Sequence, residues 1–400
     1  MMGVDRMKKV VIVGGGPAGM LASIACKQRY PDVSVILLER NDRLGVKLRL
    51  TGGGRCNLTA DVDQETVVKH ITQNGRFLYS ALTLFNPRHI QDFFMQHGCE
   101  LKVEDHHRVF PKSNKAGDVV ATLIKVMDGL GIEIRYHQTV TDVDINQRRV
   151  TTVSSSFDFD YLILATGGIS YAHTGSDQLG FDLIAKLGHT VTPLLPAEVP
   201  LVSNDMLIQS KEWQGLSFRD VTITGLVNGK KKVSITHDLL FTHFGLSGPG
   251  PLQVSSYLVK DIGVGKDVTV LIDFLPKVSF EQLAVDFKEK GVEQTLKENG
   301  ISKRVIQYWM SRYSFDQIVT ACKRFEVKIS DRRGFMNAFV TCGGVSVKEI
   351  VPKTMKSKIH PNVAICGEAL DLNGSTGGYN MTIAFSSGYS AGWYICEDDS

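Results

Sequence analysis

Gly14, Gly16 and Gly19 form a G-x-G-x-x-G run, and Glu39 follows 20 residues after the last of them. These residue types at this spacing suit a dinucleotide. Gly14 permits a tight turn, Gly16 lets the backbone approach a pyrophosphate, and Gly19 lets a helix pack closely on a strand. Pro17 and Ala18 complete the turn at the start of a helix, whose free N–H groups and dipole favour phosphate. A carboxylate at position 39, with Arg40 beside it, accepts hydrogen bonds from a ribose and repels a 2′-phosphate. The site therefore suits FAD or NAD and not NADP.

The flanking elements make this run specific. Residues 9–13 are β-branched and apolar, as in a buried parallel strand. A helix is expected over 20–28, with Leu21, Ile24 and Ala25 on one face, then a strand over 33–38 that ends in Glu39. Three further segments favour FAD. An apolar strand at 160–164 runs into Ala165, Thr166, Gly167 and Gly168, like the A-T-G element of two-dinucleotide-fold flavoproteins. A second, 362–366, ends in Gly367 and Glu368, where such flavoproteins usually carry Asp. The third, with Gly377, Gly378, Tyr379 and Asn380, opens a helix over 381–394 whose Ala384, Ser387, Gly388 and Ala391 allow close approach. A helix N-terminus there would stabilise the negative charge that builds on a reduced flavin.

The loop Thr51-Gly52-Gly53-Gly54-Arg55-Cys56-Asn57 joins these segments, with Arg108-Val109-Phe110-Pro111, Thr242-His243-Phe244-Gly245-Leu246-Ser247-Gly248-Pro249, and Val340-Thr341-Cys342-Gly343-Gly344-Val345. Together they resemble the bacterial NAD(P)/FAD-dependent oxidoreductase family that includes a dehydro-bile-acid reductase. The resemblance spans most of the chain and implies an FAD domain interrupted by a large insert, with reductase or dehydrogenase activity. It implies no substrate. After Thr174-Gly175-Ser176 the family tends towards T-G-D-G-Y, whereas this chain has Asp177-Gln178-Leu179-Gly180-Phe181.

The expected fold class is α/β. A Rossmann-like two-dinucleotide-fold FAD domain takes 1–192 and 334–400, and a large inserted β-rich plus helical domain takes 193–333 and would cap the substrate. Pro193, Pro196 and Pro200 mark the composition change, and Asn228-Gly229 signals a type I′ hairpin within the insert. Residues 61–130 read as mostly helical, with Pro111 breaking a polar loop, and 131–160 as a β-meander. A second G-x-G-x-x-G after a strand is absent, so NADH or NADPH, as a transient reductant, would dock in the open cleft beside the flavin.

Composition narrows the class. Of 400 residues, 38 are Gly, against roughly 28 at average usage. Net charge is +3 from 45 basic and 42 acidic residues, so no nucleic-acid partner or membrane surface is expected. The uncharged run 10–26 could pass for a membrane span, but its glycines and Pro17 would break a helix. Seven cysteines without a C-x-x-C pair suggest a reduced, cytoplasmic protein with no metal site. The acidic end, 397–400, reads as a frayed tail.

Candidate catalytic residues are few, because flavin does the redox chemistry itself. His243 sits in a Gly- and Pro-rich turn and reads either as an acid/base or substrate contact or as a structural hydrogen-bonder. Tyr171 and His173 follow the A-T-G turn at a spot that could face the cleft. Cys56 has Thr51 and Asp61 five residues away on either side, so no redox pair is supported, and packing is the simpler role. Gly52, Gly53 and Gly54 would let the loop backbone lie against the flavin or its phosphates. Lys47, Arg49 and Arg55 could bind phosphate or an acidic substrate, against the default of solvated charge. The sequence thus points to an FAD-dependent oxidoreductase acting on a small, carbonyl-conjugated or unsaturated organic molecule. An FAD-dependent RNA-modifying enzyme and a non-catalytic flavin-binding sensor are the alternatives.

Overall fold

A computed structural model describes residues 7–397 of the chain. Residues 398–400 of the acidic end lie outside the described residues. The chain divides into two compact units. One holds residues up to Leu194 and from Val340 onward, and the other is Leu195–Phe339.

The first unit is built on a five-stranded parallel sheet. Its strands are β1 (Lys9–Val13), β2 (Ser34–Leu38), β3 (Glu133–Arg135), β4 (Tyr161–Leu164) and β5 (Val363–Ile365), in the order β5-β4-β1-β2-β3. Val10, Val11 and Ile12 of β1 are fully buried, as the middle strand of a doubly covered sheet requires. Each such side chain contributes about 1.5–3 kcal/mol by leaving water. Residues 131–160 are not one meander. Their first run joins the parallel sheet as β3, paired with β2, and the other three form a small antiparallel sheet. Residues 108–111 form a strand and not the polar loop expected around Pro111. Val109 and Phe110 are buried, and Pro111 takes the last strand position, where a missing N–H is tolerated.

Helix α1 (Pro17–Arg29) starts with Pro in its first turn and is buried along Ala18 to Cys26. Helix α2 (Tyr379–Tyr394) closes the unit and is buried on nearly every side. Both are buried because they pack on each other at backbone distance. A Cβ on Gly388 would lie 2.3 Å from the Ala18 carbonyl oxygen, and one on Gly392 would lie 2.0 Å from that of Ala22. Residues four apart on one helix therefore meet residues four apart on the other, and the two helices run parallel. Hydroxyls on α2 stay satisfied inside this core: Ser386 donates to the Phe85 carbonyl and Ser390 to that of Lys353, each at 2.6 Å.

The second unit carries a seven-stranded antiparallel sheet. Its longest strands, Ser217–Val227 and Lys230–Phe241, meet at Asn228 and Gly229, both with positive φ (48° and 73°), as a type I′ turn demands. The unit extends to Phe339 because 331–339 returns along its own edge: Arg333 N donates to Pro200 O and Phe339 N to Glu198 O. Helices Phe280–Lys290, Val292–Glu298, Lys303–Arg312 and Phe315–Lys323 follow. Trp213 and Trp309, almost fully buried, sit 5.8 Å apart in its aromatic core. No helix among the described residues is long and apolar enough to cross a membrane.

One polar trio in the first unit resembles a hydrolytic triad. Ser357 Oγ donates to His189 Nε2 at 2.9 Å, and His189 Nδ1 donates to Glu349 Oε2 at 3.0 Å. Yet Ser357 Oγ also accepts from the N–H groups of Ile359 and His360, and the serine is buried. Its hydroxyl is saturated, so the trio clamps the loop together and attacks nothing. Burial, against the pull of Glu349, holds His189 below its ordinary value of 6.5, and burial alone lowers His70. Below 6.5 the unfolded chain takes up protons that these folded histidines refuse, so stability falls as pH drops toward their folded values. The melting temperature should therefore fall between about pH 7.5 and about pH 5.5, and His189→Gln should flatten that fall.

Candidate active site

The carboxyl ends of β1, β4 and β5 converge, which in open α/β sheets is where ligands bind. The turn from β1 into α1 is shaped by close approach. A Cβ on Gly14 would lie 2.3 Å from Ala165 O, and one on Gly19 only 1.9 Å from Gly14 O. Gly16, the N-cap, is different: a Cβ there would meet nothing within 4 Å. The first turn of α1 carries no acidic residue to offset its dipole. Glu39, buried at the end of β2, accepts from Gly15 N at 2.7 Å and from Asn41 N and Nδ2 at 2.8 and 2.7 Å. A carboxylate offers about four acceptor sites, so these three bonds leave about one, on Oε2, for a ribose hydroxyl. At the end of β4, the Thr166 hydroxyl is buried without a partner among the described residues, and a Cβ on the adjacent Gly167 would meet nothing within 4 Å. This donor set, clearance and charge fit FAD.

Past β5, Gly367 N donates to Ser387 Oγ at 2.9 Å, which ties this turn to α2. Glu368 accepts three bonds, as Glu39 does. Lys47 Nζ contacts both of its oxygens, at 2.9 and 2.7 Å, and Thr341 N donates to it at 3.0 Å. Thr341 Oγ1 in turn accepts from Ile169 N at 2.9 Å and Ser170 N at 3.2 Å. Lys47 is thus paired and not a solvated charge. Thr341 is an organising residue to which its motif assigned no role.

At the start of α2, Gly378 lies against Thr59, whose backbone carbon a Cβ would meet at 2.4 Å. Tyr379 stacks on His70, centroids 4.3 Å apart, and His70 Nδ1 meets Ser375 Oγ at 3.2 Å. No sequence pattern marked His70, since its partner lies 305 positions away. The Asn380 amide is spent on Gly374, donating to its carbonyl at 2.7 Å and accepting from its N–H at 2.8 Å, so its side chain shapes the Gly377-Gly378 loop.

Other candidates fall elsewhere. Arg55 stacks on Phe110 at 4.0 Å and pairs with Glu104 at 3.1 Å, so its guanidinium braces the neighbouring sheet. Gly52, Gly53 and Gly54 are exposed, with φ of 57°, 67° and 86°, a left-handed run that side chains would strain. Cys56 is fully buried, and burial pushes its thiol up to about 12. It stays a neutral packing residue. The turn that follows Tyr171 and His173 is tied to the Glu39 end of the sheet. Asn41 Nδ2 donates to Thr174 O at 3.1 Å, and Arg40 bonds Gly175 O at 2.6 Å and Asp177 at 2.7 Å. Asp177, where the chain departs from the family pattern, anchors that turn. In the second unit His243 is exposed on the Thr242–Gly245 turn, 5.0 Å from the Phe244 ring. Arg333 lies over that ring at 4.9 Å. No group of three or more His, Cys, Asp or Glu that could hold a metal occurs among the described residues.

The family model of the HI0933-like protein Rossmann domain matches residues 8–394. The chain belongs to that family. It is a flavin-dependent oxidoreductase, and FAD is its cofactor. Among its relatives is a 3-dehydro-bile acid delta(4,6)-reductase of Clostridium scindens, 27% identical over 98% of this chain and all of that one. A ribosomal RNA dihydrouridine synthase of Haemophilus influenzae is 29% identical over 97% of this chain and 98% of that one. The crystal structure of 3-ketosteroid delta1-dehydrogenase from Sterolibacterium denitrificans shares the fold, with a TM-score of 0.52, 10% identity, and coverage of 98% of this chain and 100% of that one.

Proposed function

We propose that this HI0933-like protein reduces a carbon–carbon double bond conjugated to a carbonyl, with NADH or NADPH as the hydride source and a small organic molecule as acceptor. One observation carries the reading. The bile-acid reductase and the RNA dihydrouridine synthases are named for different substrates, yet both names describe adding two hydrogens across such a bond. The single G-x-G-x-x-G that follows a strand supports the transient role of the nicotinamide, which then has no dinucleotide fold of its own.

Bound FAD would supply a two-electron carrier that accepts hydride and passes it on. The chain's own residues then do the rest. The α1 N-terminus at Gly16 would hold the pyrophosphate, and Glu39 the ribose. Ala165, Thr166 and Gly167, with Gly367 and Glu368, would line the middle of the cofactor, Lys47 keeping Glu368 in place. The first-turn N–H groups of α2, at Tyr379 and Asn380, would face the negative charge of the reduced state.

The test is anaerobic. NADH or NADPH should bleach the flavin absorbance of the loaded protein, and an acidic 3-oxo-Δ4 steroid should restore it while gaining two hydrogens. A flavin that stays oxidised with both nucleotides would sink the reading. RNA is the second reading, favoured by the two dihydrouridine synthases among the relatives. The second unit counts 19 basic against 16 acidic residues, so its net charge gives RNA little attraction. If unmodified ribosomal RNA, and not the steroid, reoxidises the flavin and gains dihydrouridine, the RNA reading stands.

A further inference from the structure

The start of α2 is held from two sides. Its two rungs on α1, Gly388 against Ala18 and Gly392 against Ala22, fix the helix itself. The loop that leads into it, 371–378, is laced to residues 70–74. Thr72 N donates to Asn373 O at 2.9 Å, Ser375 N donates to His70 O at 2.9 Å, and Ile71 bridges Gly374. The neighbouring side chains are committed as well. Asp371 accepts from Gln73 Nε2 and Asn74 Nδ2, Ser375 Oγ meets His70 Nδ1, and the Asn380 amide bonds Gly374. Asn373 is the exception. It is fully buried, and neither its Nδ2 nor its Oδ1 has a hydrogen-bond partner among the described residues. No other side chain described is orphaned at both a donor and an acceptor. Thr72 N and Oγ1 both bond the Asn373 carbonyl, so the main chain beside the amide is pinned. An amide buried with both ends unpaired destabilises a fold, so it needs a partner that binding supplies.

We propose that Asn373 reads the pyrimidine edge of the flavin: Oδ1 accepts from the ring N3–H, and Nδ2 donates to the ring carbonyl beside it. The inference rests on the proposed placement of the flavin at the start of α2. The chemistry matches at both ends. A primary amide presents an acceptor and a donor side by side, and so does this flavin edge, where N3–H stands between two carbonyls. Negative charge builds on the same edge in the reduced state, and a neutral donor there stabilises it. An aspartate at this position would keep the acceptor, lose the donor and set a like charge against the reduced ring. Asn373 thus selects a ring whose N3 carries a hydrogen.

The experiment titrates the full-length apoprotein with FAD and with 3-methyl-FAD, whose N3 carries no hydrogen. The unaltered protein should bind FAD at least about tenfold more tightly than the methylated analogue. Asn373→Ala, which leaves room for the methyl group, should bind FAD about tenfold more weakly than the unaltered protein and bind the two cofactors alike within about twofold. Asn373→Leu tests the fold separately. Without cofactor it should melt at or above the unaltered protein, because leucine removes two unpaired polar groups from the core. Equal binding of both cofactors by the unaltered protein would overturn the proposal, as would discrimination that survives in Asn373→Ala. An Asn373→Leu apoprotein that melts well below the unaltered one would overturn it too, by showing that the fold already satisfies the amide. The titration does not depend on turnover. A protein that discriminates between the cofactors yet stays oxidised with NADH and NADPH would end the reduction reading and leave Asn373 in its place.

Discussion

Gly392→Leu should abolish the folded first unit. A Cβ at that position would lie 2.0 Å from the Ala22 carbonyl oxygen, and the next nearest atoms are also backbone. A flexible neighbour could yield, but a helix backbone cannot. The two helices must separate, which unpacks Gly388 from Ala18 and exposes a core buried on both. We expect a cost of about 3 kcal/mol even for alanine, and more for leucine. The measurement is soluble yield and thermal unfolding of the cofactor-free protein. A Gly392→Leu protein that melts like the unaltered one would show that the helices are not held at this distance.

Gly16→Val should do the opposite: keep the fold and lose the cofactor. Gly16 is the N-cap of α1 in extended backbone (φ −79°, ψ −178°), a conformation open to any residue, and a Cβ there would meet no atom within 4 Å. Losing a glycine N-cap costs the apoprotein about 1 kcal/mol or less. The valine methyls, however, would stand where a pyrophosphate must approach the N–H groups of the helix. FAD affinity should fall at least about 100-fold, roughly the loss of two charge-assisted hydrogen bonds. Fluorescence titration of the apoprotein with FAD checks this, and melting of the same sample shows whether the fold survived. Unchanged affinity would move the pyrophosphate away from Gly16.

The contrast between these two glycines marks what the sequence could and could not reveal. The strands at 9–13, 33–38 and 160–164, and the helix after each nucleotide turn, were legible because burial imposes a period on local sequence. The place of Glu39 at the end of β2, bonded to Gly15 N, was legible because it depends on chain distance from Gly19. Side-chain partners across the fold were not. Arg55 looked available for phosphate until Phe110 and Glu104 were seen to hold it. The tie from Arg40 and Asn41 at the end of β2 to the turn that follows Tyr171 and His173 was equally out of reach of a local count. The stretch 108–111 read as a loop because a proline and flanking charges outweigh two buried apolar residues in any local count.

The parallel α1–α2 pair also works as a ruler. Ala18 lies two residues inside α1 from its cap at Gly16, while its rung partner Gly388 lies ten residues inside α2 from its cap at Gly378. The second helix therefore begins eight residues, or about 12 Å, ahead of the first along a common direction. Two positive poles face the same way at a fixed stagger. The rear one suits a charge that is always present, and the forward one suits a charge that comes and goes with reduction. With the pyrophosphate at Gly16 and the flavin at Gly378, as proposed, the rungs between the helices would set the span from one to the other.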